Sequence, residues 1–157
     1  MKEKNWKMYF DSASNAFGHG IGAVLISPEE YHCPFTAKLN FDCTNNVVEY
    51  ESCMMGIQAA IETKIKKLEV YGDSALFIYQ LKSEWKTRDS KLVSYYMFIK
   101  ELIKQFEEIS FEHLPREKNY MADALATLAA MFKVNANVEV QIVKLGIREL
   151  PAHCACV

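Results

Sequence analysis

The hydrophobic period of this chain changes at Thr44, and the change restricts what the chain can fold into. Before it, apolar residues alternate. Trp6, Met8 and Phe10 share one face of a strand over 6–11, and Lys7, Tyr9 and Asp11 share the other. A turn-rich stretch, SASNAFGHG, leads to a second strand, GAVLIS at 22–27. Pro28-Glu29-Glu30 makes a tight connection to a third, YHCPFTAKL at 31–39. Connections this short favour antiparallel neighbours, so a three-stranded meander is expected.

After Thr44 the spacing becomes helical. Thr44, Asn45 and Asn46 are capping residues, and Val47, Tyr50, Met54, Ile57 and Ile61 recur every three or four positions. KKLEVYGD at 66–73 reads as a strand and 74–84 as a helix, followed by a polar loop, WKTRDSK. LVSYYMFIKELIKQFEEI at 92–109 is a longer amphipathic helix. SFEHL is a strand ended by Pro115, and a last helix runs over 119–132. The order βββαβααβα requires parallel crossovers, with helices covering the sheet. Residues 1–133 are thus expected to form one domain, with 134–157 as an extension or linker, either adding an edge strand or hanging free.

A chain of 157 residues suits a single domain, and half of it is apolar. No apolar run approaches the roughly 18 residues of a membrane span, and the start, MKEKNWK, has no signal-peptide core. An intracellular protein, in cytoplasm or nucleus and without membrane attachment, is expected. Five scattered cysteines argue against a disulfide framework. The net charge of −2 does not suit whole-surface attraction to nucleic acid, so any such binding must use local basic patches.

Four carboxylates stand among apolar neighbours near the ends of these elements: Asp11, Glu49, Asp73 and Asp123. An unpaired carboxylate is costly to bury. Two hard cations account for four of them together, because Mg²⁺ takes oxygen ligands and an ion pair about 4 Å apart can clamp a phosphodiester. Helical phase selects Glu49 over Glu51. Glu49 shares its stripe with Cys53, Gly56 and Ala60, small residues that let a helix lie against a sheet. Glu51 shares one with Met55, Gln58 and Glu62, read mainly as a solvated face. Asp123 lies on a face with Ala126, Thr127 and Ala130, beside Met121, Leu125, Leu128 and Phe132 on stripes expected to face the core. Singly, Asp73 also reads as a helix cap, Asp11 as a turn former and Asp123 as a partner of the helix dipole. Capping does not explain Glu49.

The segments YFDSASN, GIGAVLISPEE, TNNVVEYESCMMGIQAA, VYGDSALFIYQL and HLPREKNYMADALATLA resemble a type-1 ribonuclease H domain, of the kind found in plant gypsy-class retroelement polyproteins. The resemblance covers residues 6–133. It implies an α/β fold, ribonuclease H-like, with a five-stranded mixed sheet of order 3-2-1-4-5 and helices on both faces. It casts Asp11, Glu49, Asp73 and Asp123 as catalytic, metal-binding carboxylates for two Mg²⁺ ions, with Mn²⁺ as a substitute and Asp11 bridging. The implied reaction is endonucleolytic cleavage of the RNA strand of an RNA–DNA hybrid. Asn15, Thr44, Asn45 and Asn46 resemble the family's backbone-contacting set, and Arg116 is placed to meet a phosphate. A reverse transcriptase domain of a parent polyprotein is the implied protein partner, and the chain itself is expected to be a monomer. Repulsion among the carboxylates is expected to raise at least one of their pKa values.

This chain departs from the family pattern in three places. Ser12 stands where the family has Gly. His113 lies at a strand end rather than in a mobile loop, and is read as structural. Lys86, Arg88 and Lys91 are the only basic residues of WKTRDSK, where no basic protrusion is present. GHGIG at 18–22 precedes no helix and is not a dinucleotide loop. His153-Cys154-Ala155-Cys156 lacks the spacing of a zinc site. Tyr95, Tyr96 and Phe98 read as core. The alternative from another class is a weak or inactive ribonuclease H-like domain of retroelement origin that binds nucleic acid or a protein partner.

Overall fold

Three strands form the antiparallel meander: β1 (Trp6–Asn15), β2 (Gly18–Ile26) and β3 (His32–Leu39). The structure, a computed structural model, describes residues 5–82, 90–131 and 146–148. β1 runs four residues further than its alternation suggests, because Ser12–Asn15 pairs with Gly18–Ile21. A two-residue turn makes this possible. Asn15 Oδ1 accepts from the Phe17 amide at 2.8 Å, and Gly18 takes a φ of 137°, a conformation side-chain-bearing residues rarely adopt.

β4 (Lys67–Gly72) lies parallel to β1, and β5 (Glu108–His113) lies parallel to β4. The five strands have the expected order 3-2-1-4-5. A sixth, β6 (Gly146–Arg148), pairs in parallel with Ala37–Leu39 of β3, so part of the C-terminal extension supplies an edge strand.

Helix α1 (Asn45–Glu62) begins as expected, with the Thr44 side chain accepting from the Val47 amide at 3.4 Å. Its small stripe meets the sheet: a Cβ on Gly56 would lie 2.5 Å from Met8 Sδ. Tyr50, Met54 and Ile57 are fully buried beside Met8, Leu25 and Leu68. Aliphatic side chains such as Met54 and Ile57 each contribute about 1.5–3 kcal/mol relative to exposure. Helices α2 (Ala75–Lys82) and α3 (Ser90–Ile103) follow β4. Tyr95, 2% exposed, packs in the core as expected, and Phe98 packs against it.

The predicted helix over 92–109 is six residues too long. Phe106 is buried and continues the apolar rhythm, but the amides of Glu107 and Glu108 turn to the Lys66 carbonyl at 2.9 and 3.2 Å. That turn starts β5, where Ile109 then pairs with Leu68. The loop residues Lys86 and Arg88, the Lys91 side chain and His153–Cys156 lie outside the described residues.

Helix α4 (Tyr120–Met131) covers the opposite face of the sheet. It touches the sheet through Ala122, Ala126, Ala129 and Ala130, all 0% exposed. Leu128, placed on a core stripe by periodicity, is instead 47% exposed, and Thr127 is exposed too. The cause lies on β2. Gly20 and Gly22 admit the α4 backbone so closely that a Cβ on Gly22 would lie 2.6 Å from the Ala122 carbonyl oxygen. Only an alanine face fits so close a contact. The GHGIG segment is therefore a helix-seating surface.

Lys38 is 4% exposed on β3, and its Nζ donates to the carbonyls of Phe17 (2.9 Å) and Ala130 (3.0 Å). Burial lowers its pKa. A cation suits the carbonyl end of α4. Lys38→Met is expected to destabilise the protein by about 2 kcal/mol by leaving the Ala130 carbonyl without this donor. A lower urea midpoint at unchanged slope is the readout.

Candidate active site

The carboxylates converge at one end of the sheet. Asp11 lies on β1, in the part paired with Gly22, and Asp73 directly follows β4. Glu49 lies in the first turns of α1 and Asp123 in the first turn of α4. Because α1 and α4 pack on opposite faces, they approach the two central strands from both sides. Asp11 is 7% exposed, while Glu49, Asp73 and Asp123 are half-buried.

Asp11 is the electrostatic centre. Its Oδ1 accepts from the Ser12 amide at 2.8 Å, and its Oδ2 is buried with no hydrogen-bond partner. Its pKa is pushed up to about 7, first by burial, then by Asp73, with smaller repulsion from Asp123 and Glu49; the Ser12 amide opposes the rise. Glu49 is likewise pushed up to about 7, by burial and then by Asp73. The expected rise is present, but desolvation outranks repulsion as its cause. All four carboxylates share one field, although among the described residues no three His, Cys, Asp or Glu side chains converge as a ready-made metal cage.

The raised values have a consequence for stability. Between about pH 4 and pH 7 the folded protein binds protons at Asp11 and Glu49 that the unfolded chain has released. Stability from these groups is therefore fully present at low pH and is lost as pH rises through about 7. The melting temperature of metal-free protein is expected to fall by several degrees between about pH 5 and about pH 8. Scanning calorimetry across that range checks it.

Glu51 corrects the helical-phase reading. It is 0% exposed, and the Tyr95 hydroxyl donates to its Oε1 at 2.6 Å. α3 lies against α1 and covers the face that periodicity left to solvent. Glu51 is thus engaged with α3, on the far side of the helix from Glu49.

Of the other candidates, Thr44, Asn45 and Asn46 are exposed at the start of α1, in the same helix end as Glu49. Asn15 is exposed and holds the β1–β2 turn. Arg116 is exposed in a 3₁₀ turn, Arg116–Lys118, between β5 and α4. His113 is exposed at the end of β5, and its Nε2–H donates to the Asp73 carbonyl at 3.2 Å.

Nothing in the sequence marks Asn119 as a neighbour of the carboxylates. Only its place at the start of a helix was visible in sequence. Its side chain is 1% exposed, and Nδ2 donates to the Phe10 carbonyl at 3.0 Å and to Asp73 Oδ2 at 3.1 Å.

Residues 10–129 match a family model described as reverse transcriptase-like. The chain belongs to that family. Its fold is that of ribonuclease H. The chain is 34% identical over 123 residues to ribonuclease HI of Halobacterium salinarum, an alignment spanning 77% of this chain and 62% of that protein. The crystal structure of RNase H1 from the same archaeon superposes with a TM-score of 0.74 at 32% identity, covering 80% of this chain and 97% of that one. LC11-RNase H1, solved in complex with an RNA/DNA hybrid, gives a TM-score of 0.71 at 25% identity over 80% of this chain and 96% of that one.

Proposed function

We propose that this ribonuclease H-like domain is a metal-dependent endonuclease that hydrolyses the RNA strand of RNA–DNA hybrids. The observation that carries the reading is Asp11, a nearly buried carboxylate with one unpartnered oxygen, set among three more carboxylates. Its similarity to ribonucleases H, one of them solved with a hybrid, supports the substrate.

The residues fit divalent metal. A hard cation takes carboxylate oxygens, and the orphaned Asp11 Oδ2 and the raised pKa values of Asp11 and Glu49 both mark a place where positive charge is favourable. Asp11, Glu49, Asp73 and Asp123 would hold two Mg²⁺ ions, or Mn²⁺ in their place. When bound, such ions supply an activated water and charge stabilisation at the scissile phosphate. The protein's own part is to orient the hybrid. Thr44, Asn45 and Asn46 present hydroxyl, amide and helix N-terminal groups to a phosphate backbone, and Asn15 and Arg116 extend that contact. RNA is distinguished from DNA by its 2′-hydroxyl.

Retroelement origin, an intracellular location, a monomeric state and a domain bounded at residue 133 complete the proposal. The reverse transcriptase-like description of the family supports the first, although the relatives named above are described only as ribonucleases H. The inactive alternative gains no support from the similarity to ribonucleases H.

The test uses labelled RNA–DNA hybrid, double-stranded RNA and double-stranded DNA, each with Mg²⁺, Mn²⁺ or chelator. The expected result is cleavage of the hybrid's RNA strand alone, abolished by chelation. Folded protein that leaves the hybrid intact with both metals would overturn the assignment.

A further inference from the structure

We infer that Asn119 is a positioning residue for the candidate metal site, holding the Asp73 carboxylate in register with the end of β1 that bears Asp11. The inference rests on the proposed function and adds to it a residue outside the four carboxylates.

Asn119 stands between the 3₁₀ turn and α4, and its backbone carbonyl receives the Asp123 amide at 3.1 Å. An asparagine kept only to begin a helix turns its side chain toward the free amides of the first turn. This one turns away. Its Nδ2 reaches the Phe10 carbonyl, one residue before Asp11, and Asp73 Oδ2. A single amide thus links the strand carrying Asp11, the side chain of Asp73 and the helix carrying Asp123.

The orientation of the amide is determined by its partners. A carbonyl and a carboxylate both accept, so the nitrogen must face them, because the flipped amide would set oxygen against oxygen. The consequence is that Asn119 Oδ1 is buried with no hydrogen-bond partner. An orphaned buried acceptor destabilises the fold, and an apolar residue of the same shape would avoid it. The arrangement serves Asp73: with Oδ2 held by an N–H, its carboxylate is fixed before any cation arrives. Hydrogen bonds of this kind to ligating groups set both geometry and affinity at metal sites.

The test is calorimetric titration of Mg²⁺ into the full chain without nucleic acid, paired with a thermal melt of each variant. Wild-type protein is expected to bind Mg²⁺. Asn119→Leu, which keeps the side chain's shape but leaves the Phe10 carbonyl without this donor, is expected to bind about tenfold more weakly or worse while staying folded with a melting temperature lowered by several degrees. If Asn119→Leu does not fold, Asn119→Ala, which leaves space rather than filling it, is read the same way. Wild-type affinity in a folded variant overturns the positioning role and leaves the ribonuclease reading intact. Absence of Mg²⁺ binding by wild-type protein overturns both.

Discussion

Asp11→Asn is expected to slow hybrid cleavage by about 10³-fold or more while raising the melting temperature of the metal-free protein. A thousandfold loss corresponds to roughly 4 kcal/mol of transition-state stabilisation. The substitution keeps the side chain's shape, and Oδ1 can still accept from the Ser12 amide at 2.8 Å. What it removes is the charge that lies in the field of Asp73, Asp123 and Glu49. That charge is unfavourable to the folded state without metal, because burial and three like charges oppose it and only the Ser12 amide favours it. Removing it relieves the fold and deprives a divalent cation of a central ligand. The two effects have opposite signs, which separates this loss of activity from unfolding. Activity assays and melts on the same preparation check both. A variant that melts lower and remains active would place Asp11 among structural residues instead.

How far the sequence revealed this arrangement depended on whether a feature was local. The Thr44 cap and the stripe of Cys53, Gly56 and Ala60 need only a few neighbouring residues and the pitch of a helix, and both are present in the fold. Strand order came from the resemblance, since parallel pairing of β1 with β4 joins residues some sixty positions apart. The misread side chains all concern what lies across an interface. Glu51 has a polar stripe of its own, and only α3 packing over it makes it buried. Leu128 has the right spacing for a core residue, but α4 turns its alanines inward because the facing strand is glycine-rich. Asn119 is invisible for the same reason: its partners, Phe10 and Asp73, lie 109 and 46 residues away.

Gly22→Val is expected to destabilise the protein by about 3 kcal/mol or more and to abolish cleavage with it. Overpacking a well-filled interior ordinarily costs about 1–3 kcal/mol, and the upper end applies when the obstructing atoms cannot move aside. Here they cannot. A Cβ on Gly22 would lie 2.6 Å from the Ala122 carbonyl oxygen and 2.8 Å from the Ala126 amide nitrogen, both main-chain atoms of one helix. On Gly20 a Cβ would meet the Ala126 carbonyl and the Ala130 amide, one turn further along. No side-chain rotation relieves either clash, so α4 must lift from the sheet. Lifting it carries Asp123 away from Asp11 and loosens the Asn119 hydrogen bonds that precede the helix. Activity and stability should therefore fall together in Gly22→Val, in contrast to Asp11→Asn. Gly22→Ala is expected to show the same direction with a smaller loss, and Leu128→Ala, on the exposed face of α4, almost none. Urea unfolding of the three variants orders them. A Gly22→Val protein as stable as wild type would mean that α4 does not need its close seat on β2, and that Asp123 is held in place by something other than the glycines beneath it.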